Sequence, residues 1–280
     1  MTVWLCCAAA YAAPAATVPL SAALPRLPGQ GTLVMDLRES SAIALVGPIT
    51  TEALTSVRRI GSAGNRLQLM YIDSPGGDVV SAIELAHYLR QKKTRLVVAG
   101  RCFSACANYL FAGAVAKDVL PGSLVAIHGL RYQHFDKDQV TDFSAGDRAA
   151  LGRLAQKDGS AGPRIQAILA REQAFYRDVG IRTSTHLAFR RYDEARQAHR
   201  TTTPDCPAFA LWALSRADLE RMGVIGIRMF WTPATQQEAR TAAEKLGMQP
   251  SAVYFGSEAT LAGMCGQKRG LLQDLRAILR

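Results

Sequence analysis

No charged residue precedes Arg26, no C-x-x-C pair or P-loop occurs in the 280 residues, and no internal repeat is visible. Each absence excludes something. Without C-x-x-C spacing or a histidine–cysteine cluster there is no zinc pattern, so no metal is expected. Without a phosphate-cradling glycine loop the chain has no nucleotide-driven step of its own, and no cofactor is expected. Apolar runs long enough to span a bilayer are missing as well. Residues 3–12 make a short apolar core, and Pro14, Pro19 and Pro25 interrupt any extension of it. Ending in Ala10-Tyr11-Ala12, small residues at both ends of an A-x-A pattern, this stretch reads as a signal peptide over residues 1–25. The basic segment that usually opens such a leader is absent, and an uncleaved anchor or an unstructured tail are the alternatives.

What is present is a globular composition: 49% hydrophobic and 20% charged residues, in a chain long enough to bury a sizeable core. The balance is basic, with a formal net charge of +10. Much of the excess lies between residues 163 and 200, where eight arginines face four acids. Those arginines are interleaved with apolar positions at helical spacing, which describes a solvated helix face and not a nucleic-acid footprint. No nucleic-acid partner is expected; an anionic membrane surface would suit the charge. Cys6 and Cys7 would leave with the signal peptide. Cys102, Cys106, Cys206 and Cys265 would remain in an oxidising, periplasmic or secreted setting, where they allow two bridges in three connectivities.

LVMDLRE (33–39) and AIALVG (42–47) read as strands leading to a first helix, PITTEALTSVRRIG. RLQLMYI (66–72) runs apolar as a strand covered on both faces does, ends in DSPGGDVV, and leads into a helix with Val79, Ala82, Ile83, Ala86 and Leu89 on one stripe. RLVVAG (95–100) and SLVAIHG (123–129) are further strands. Strands alternating with helices imply an α/β protein with a mainly parallel sheet. Residues 131–162 are polar and read as an excursion. A long amphipathic helix through Ile165, Ile168 and Val179 follows, TTTPDCPAF is a loop, and ALSRADLERMGVIGI resumes a helix and strand. From 233 to 280 the chain reads as a helical extension without a chemical signal, so the main domain is expected over residues 26–232.

Three segments that end predicted strands carry the chemistry, at the sheet edge where α/β proteins gather ligands. Ser104, in GRCFSACANYLFAGA, stands on a strand-to-helix turn among small residues, with the N–H of Ala105 at the positive end of the following helix. The alternative is a serine capping a buried helix. Ser74-Pro75-Gly76-Gly77-Asp78 pairs two glycines after a strand, which permits positive φ and close backbone approach; an ordinary turn capped by Asp78 is the alternative. His128 closes an apolar strand, a place where histidines are also merely structural. Glycine turn, serine turn and strand-end histidine, in that order, fit an activated hydroxyl, its base and two backbone oxyanion donors.

YIDSPGGDVVSAIELAHYL, GRCFSACANYLFAGA and LPGSLVAIHG together resemble the proteolytic subunit of Clp protease (ClpP). The likeness is to the secreted or periplasmic ClpP-like proteins of bacteria, in which cysteines flank the serine. It covers residues 42–130 and returns weakly at LSRADLERMGVIGI. It implies a ClpP/crotonase-like stack of ββα units and a serine peptidase with Ser104 as nucleophile, His128 as general base, and the backbones of Gly77 and Ala105 as oxyanion hole. Related peptidases that use a serine–lysine pair lack the histidine, and His128 argues against that branch. The chain departs from the pattern where the family supplies a triad aspartate: the ungapped match is Leu211. Asp205, in a proline-flanked loop, is the nearest substitute and Asp178 a weaker one. No counterpart of the handle by which ClpP rings stack is evident in residues 131–162. Peptides or unfolded segments are the expected substrates and a homo-oligomer the open expectation for assembly. The rival readings are an esterase or acyl transferase on the same fold and a non-catalytic envelope scaffold. Cys102 and Cys106 are spaced to bridge across the serine turn, or else are small buried residues that allow close packing, or a thiol nucleophile.

Overall fold

The computed structural model describes residues 31–37, 41–62, 67–128, 131–136, 139–144, 161–198 and 202–266. The expected signal segment 1–25 and the terminal stretch LLQDLRAILR lie outside the described residues.

The architecture is α/β, with a mixed but mostly parallel sheet. β1 (Leu33–Leu37) pairs antiparallel with β2 (Ala42–Val46). Helix α1 (Thr51–Ser62) then returns the chain so that β3 (Leu69–Ser74) lies parallel to β2. Helix α2 (Val79–Lys92) makes the second crossover, to β4 (Arg95–Phe103), parallel to β3. β3 reads apolar from Leu69 to Ile72 because both its faces are covered. Met70 and Ile72 join the main core beneath the helices, and Tyr71 packs with Ala44 and Val97 on the other side.

Helix α2 starts and stops where its chemistry requires. Asp78 sits in extended conformation at the N-cap, and its carboxylate accepts from the N–H of Ser81 at 2.7 Å, a bond worth about 1 kcal/mol to a helix terminus. Ala82, Ile83, Leu85, Ala86 and Leu89 are buried. Lys93 ends the helix in left-handed conformation, with Arg90 and Lys92 in the last turn where cations are favoured.

β4 is the strand on which the architecture turns. Its first half pairs with β5 (Ala116–Val119) and its last three residues, Arg101 to Phe103, pair with β6 (Leu124–Ile127). Between these halves the register with β3 slips: Ile72 faces Val98, but Ser74 faces Cys102. The carboxylate of Asp73 holds this bulge, accepting from the backbone N–H of Arg101 at 3.0 Å and from its Nε at 2.7 Å. The strand therefore splays and delivers its end to a different neighbour from its beginning.

Beyond β6 the structure has the expected long helix and the later helix and strand, and adds elements that local sequence pattern did not announce. Residues 131–136 (β7) and 139–144 (β8) form an antiparallel hairpin inside the stretch read as a polar excursion. Two helices follow, α3 (Ala161–Val179) and α4 (Ser184–Ala198). β9 (Leu211–Ala213) pairs antiparallel with β6, α5 (Arg216–Arg221) carries a reciprocal Ser215–Asp218 capping box, and β10 (Ile227–Phe230) lies parallel to β5. Past residue 233 the chain is helical at α6 (Gln236–Lys245) but not throughout. β11 (Val253–Tyr254) adds a parallel strand to β9, and α7 (Glu258–Ala262) follows. Ala242 and Ala243 of α6 pack with Phe103, Leu124, Ala126, Ala213 and Val253 in a second apolar cluster. A disulfide between Cys206 and Cys265 ties the segment back to the loop before β9.

Candidate active site

Ser104 follows the last residue of β4 and precedes a helical turn that passes into a π-helix over Cys106–Phe111. Its φ is +53°, a left-handed conformation that a serine adopts only when its surroundings hold it there. Several contacts do so. The N–H of Ser104 donates to the carbonyl of Ala126 on β6 at 3.1 Å, and its carbonyl accepts from the N–H of Asn108 at 2.8 Å. A disulfide joins Cys102 and Cys106, with Cα atoms 5.1 Å apart, directly across the serine. Both cysteines are fully buried. Of the alternatives open from the sequence, the structure places the two sulfurs in a bridge, which removes them as thiol nucleophiles.

His128 comes next after β6, which runs parallel to the end of β4, so two consecutive strand ends emerge side by side. The result is a contact of 2.6 Å between His128 Nε2 and Ser104 Oγ, both half-buried. For the hydroxyl to donate in this pair, His128 must carry its own proton on Nδ1.

The glycine turn closes the third side. Ser74, fully buried, shapes it: its Oγ accepts from the N–H of Gly76 at 3.1 Å and lies 3.2 Å from the Gly76 carbonyl. Gly76 has φ +110°, and a Cβ there would stand 2.7 Å from Ser104 Cβ and 3.1 Å from the Ala105 nitrogen. Only glycine lets this backbone approach the serine so closely. Gly77 has φ +141°, and its bridge partner is Ile49, which bonds to the carbonyl of Gly76 and the N–H of Asp78 on either side. The N–H of Gly77 itself is not used in that bridge. The N–H of Ala105 lies in the first helical turn, where no carbonyl of the same helix reaches it.

The structure brings Ser104, His128, Ala105 and the glycine pair together, and it leaves the aspartate candidates apart. Asp205 is exposed in the turn from Thr203 to Cys206, and its hydrogen bond is made by its backbone carbonyl, which accepts from the N–H of Cys265 at 3.0 Å. The Cys206–Cys265 bridge holds that turn against the C-terminal segment and not against His128. Asp178 is exposed near the end of α3. The β6–β9 register pairs Ala126 with Ala213 and Ile127 with Trp212, and Leu211, at the start of β9, pairs with Val253 of β11.

Two polar residues near the serine were not anticipated. Asn108, on the π-helix, accepts through Oδ1 from Nε2 of His186 at 3.0 Å. His186 is wholly buried on α4, and burial, reinforced by the charge of nearby His128, pushes its pKa down to about 4. The arginines of 163–200 read as a solvated face interleaved with apolar positions, and on α4 the buried stripe includes the polar Thr185 and His186 beside Ala188, Phe189 and Tyr192. A search for helical period that admitted polar residues would have found His186 there.

Among the described residues no cluster of three or more His, Cys, Asp or Glu is placed to hold a metal ion, and no helix is long and apolar enough to cross a membrane. No protein-family model matches the chain, and no curated protein matches it. Among solved structures it is similar to a mutant of the membrane-bound stomatin-specific protease 1510-N, at 14% identity and a TM-score of 0.39, covering 77% of this chain and 95% of that one.

Proposed function

We propose that this protein is a ClpP-like serine peptidase that works outside the cytoplasm on peptides or unstructured segments. One observation carries the reading: a serine hydroxyl on a left-handed strand-to-helix turn, 2.6 Å from the Nε2 of a strand-end histidine. Ser104 Oγ attacks the scissile carbonyl while His128 Nε2 takes its proton. The oxygen of the tetrahedral intermediate lies toward the N–H groups of Ala105 and Gly77, and His128 returns the proton to the leaving amine. Water then enters, loses its proton to His128 and cleaves the acyl-serine ester by the same path. The pair operates without Asp205, and Leu211 leaves the imidazole orientation to other contacts. A Ser–His pair deprived of the carboxylate works more slowly than a full triad but above the uncatalysed rate.

The test is covalent labelling by a fluorophosphonate. The wild-type protein should be modified at Ser104. Ser104→Ala should not be labelled, and His128→Ala should be labelled at least about 100-fold more slowly, as expected for loss of a general base, with both variants folded by circular dichroism. Modification that persists in Ser104→Ala would overturn the assignment. Matched peptide and ester substrates, assayed side by side, separate a peptidase from an esterase with the same nucleophile.

A further inference from the structure

Asn108 and His186 form a polar contact inside the core, in a place where an apolar pair would cost less to bury. His186 has no exposed surface and Asn108 is 5% exposed. Because Asn108 Oδ1 can only accept, the proton of the contact sits on His186 Nε2, and Nδ1 is left as a bare lone pair. That Nδ1 is buried with no hydrogen-bond partner among the described residues, and so is the hydroxyl of the adjacent Thr185. Leaving such groups unsatisfied costs about 1–3 kcal/mol each, so the imidazole is expensive where it stands.

The position of Asn108 gives that expense a use. Its backbone N–H is the donor to the Ser104 carbonyl, so the residue that grips the nucleophile's turn is itself gripped by His186. Asn108 sits in the π-helix, a rare turn that recurs at functional sites. His186 comes from α4, 78 residues further along the chain than Asn108.

We propose, on the premise that Ser104 is the nucleophile, that His186 is a positioning residue acting through Asn108: it fixes the π-helix so that Ser104 Oγ stays on the Nε2 of His128. The titratable groups around it are His128 and, from α3, Tyr176, whose ring centroid is 6.0 Å away and whose hydroxyl leads to Glu172. A neutral His186 serves this arrangement. His128 must become a cation during acylation, and a second cation beside it would oppose that step.

The test compares rates of fluorophosphonate labelling at Ser104 in the full chain. His186→Leu should fall about tenfold or more with its melting temperature retained, whereas His186→Gln, which keeps an N–H for Asn108, should stay within about threefold of wild type. Asn108→Ala should match His186→Leu, and the double variant should be no slower than either single one, as expected of residues acting in series. If His186→Leu does not fold, Asn108→Ala decides. Rescue by His186→Gln, which restores only the N–H to Asn108, is the readout that a purely structural role would not move. Wild-type labelling rates in His186→Leu and Asn108→Ala, or additive losses in the double variant, would overturn the proposal alone. Failure of the wild-type protein to label at Ser104 would overturn the peptidase reading and this proposal with it.

Discussion

Ser104 precedes a short helical run and Lys117 lies on the strand that follows it, and each is held in a state its side chain would not choose alone. Ser104 keeps a positive φ at a cost on the order of 1–3 kcal/mol. Lys117, on β5, is wholly buried, donates to the carbonyl of Ala112 at 3.2 Å and lies over the ring of Phe111. Burial, with the nearby Arg90 charge adding to it, lowers its pKa from 10.5 to about 7. The sign of the consequence is definite. Between about 7 and 10.5 the unfolded chain holds a proton that the folded chain has released, so this residue makes stability rise with pH across that window, by a few kcal/mol at most. Below about pH 7 the folded protein bears the full cost of a buried ammonium. Lys117→Met should therefore flatten the rise in unfolding free energy between pH 7 and 10, measured by urea titration. An unchanged slope would show that Lys117 does not titrate in that range. Neither the strained serine nor the buried lysine is visible in the residue string. A serine after a strand and a lysine in AKDV look ordinary until burial is known.

The decisive element is β4 with the turn that follows it. Its splayed pairing, first with β5 and then with β6, is what carries Ser104 to His128, and the Asp73–Arg101 contact supports the splay from the side. The Cys102–Cys106 bridge closes the same turn. Removing it with the Cys102→Ala/Cys106→Ala pair should slow fluorophosphonate labelling about tenfold through loss of a fixed near-attack geometry, with helix and strand content unchanged. Labelling at the wild-type rate would mean that the backbone contacts to Ala126 and Asn108 suffice. Mass spectrometry of non-reduced material checks the premise, since free thiols at these positions would exclude the clamp. At this scale much was legible. The strands at 42–47, 66–72, 95–100 and 123–129 and the stripe on α2 follow from apolar pattern, and Asp78 is where a helix start should be. The short strands β5, β9 and β11 were not legible, because two to four residues carry no period and owe their conformation to the neighbour they bond.

In the whole molecule, the segment beyond residue 233 is part of the sheet and its second apolar cluster. The Cys206–Cys265 bridge spans 59 residues, and a loop of that size restricts the unfolded chain by about 4 kcal/mol in the chain-entropy account. Cys206→Ala/Cys265→Ala should accordingly lower the melting temperature by many degrees while leaving Ser104 labelling at low temperature largely intact, because the bridge joins the loop before β9 to the segment after α7, neither of which carries Ser104, His128 or the glycine turn. Loss of labelling in a variant that remains folded would mean that the bridge also sets the active geometry.

The sequence by itself determined the α/β class, the order of the early strands and helices, and the residue types at each strand end: paired glycines, a serine among small residues, a histidine. Those are matters of local pattern and backbone permissiveness, and they act within a few residues of where they are written. Tertiary structure decided what meets what. Ser104 and His128 are 24 residues apart in the chain and come within 2.6 Å only because β6 pairs with the end of β4. Asp205 is exposed in a loop whose neighbour Cys206 is bridged to the C-terminal segment, and Trp212 is set opposite Ile127 by the β6–β9 register. His186 passes from an anonymous position in an arginine-rich helix to the buried partner of Asn108 only when α4 packs behind the serine turn. Such pairings are chosen by which surfaces exclude water together, and that choice belongs to the folded chain as a whole.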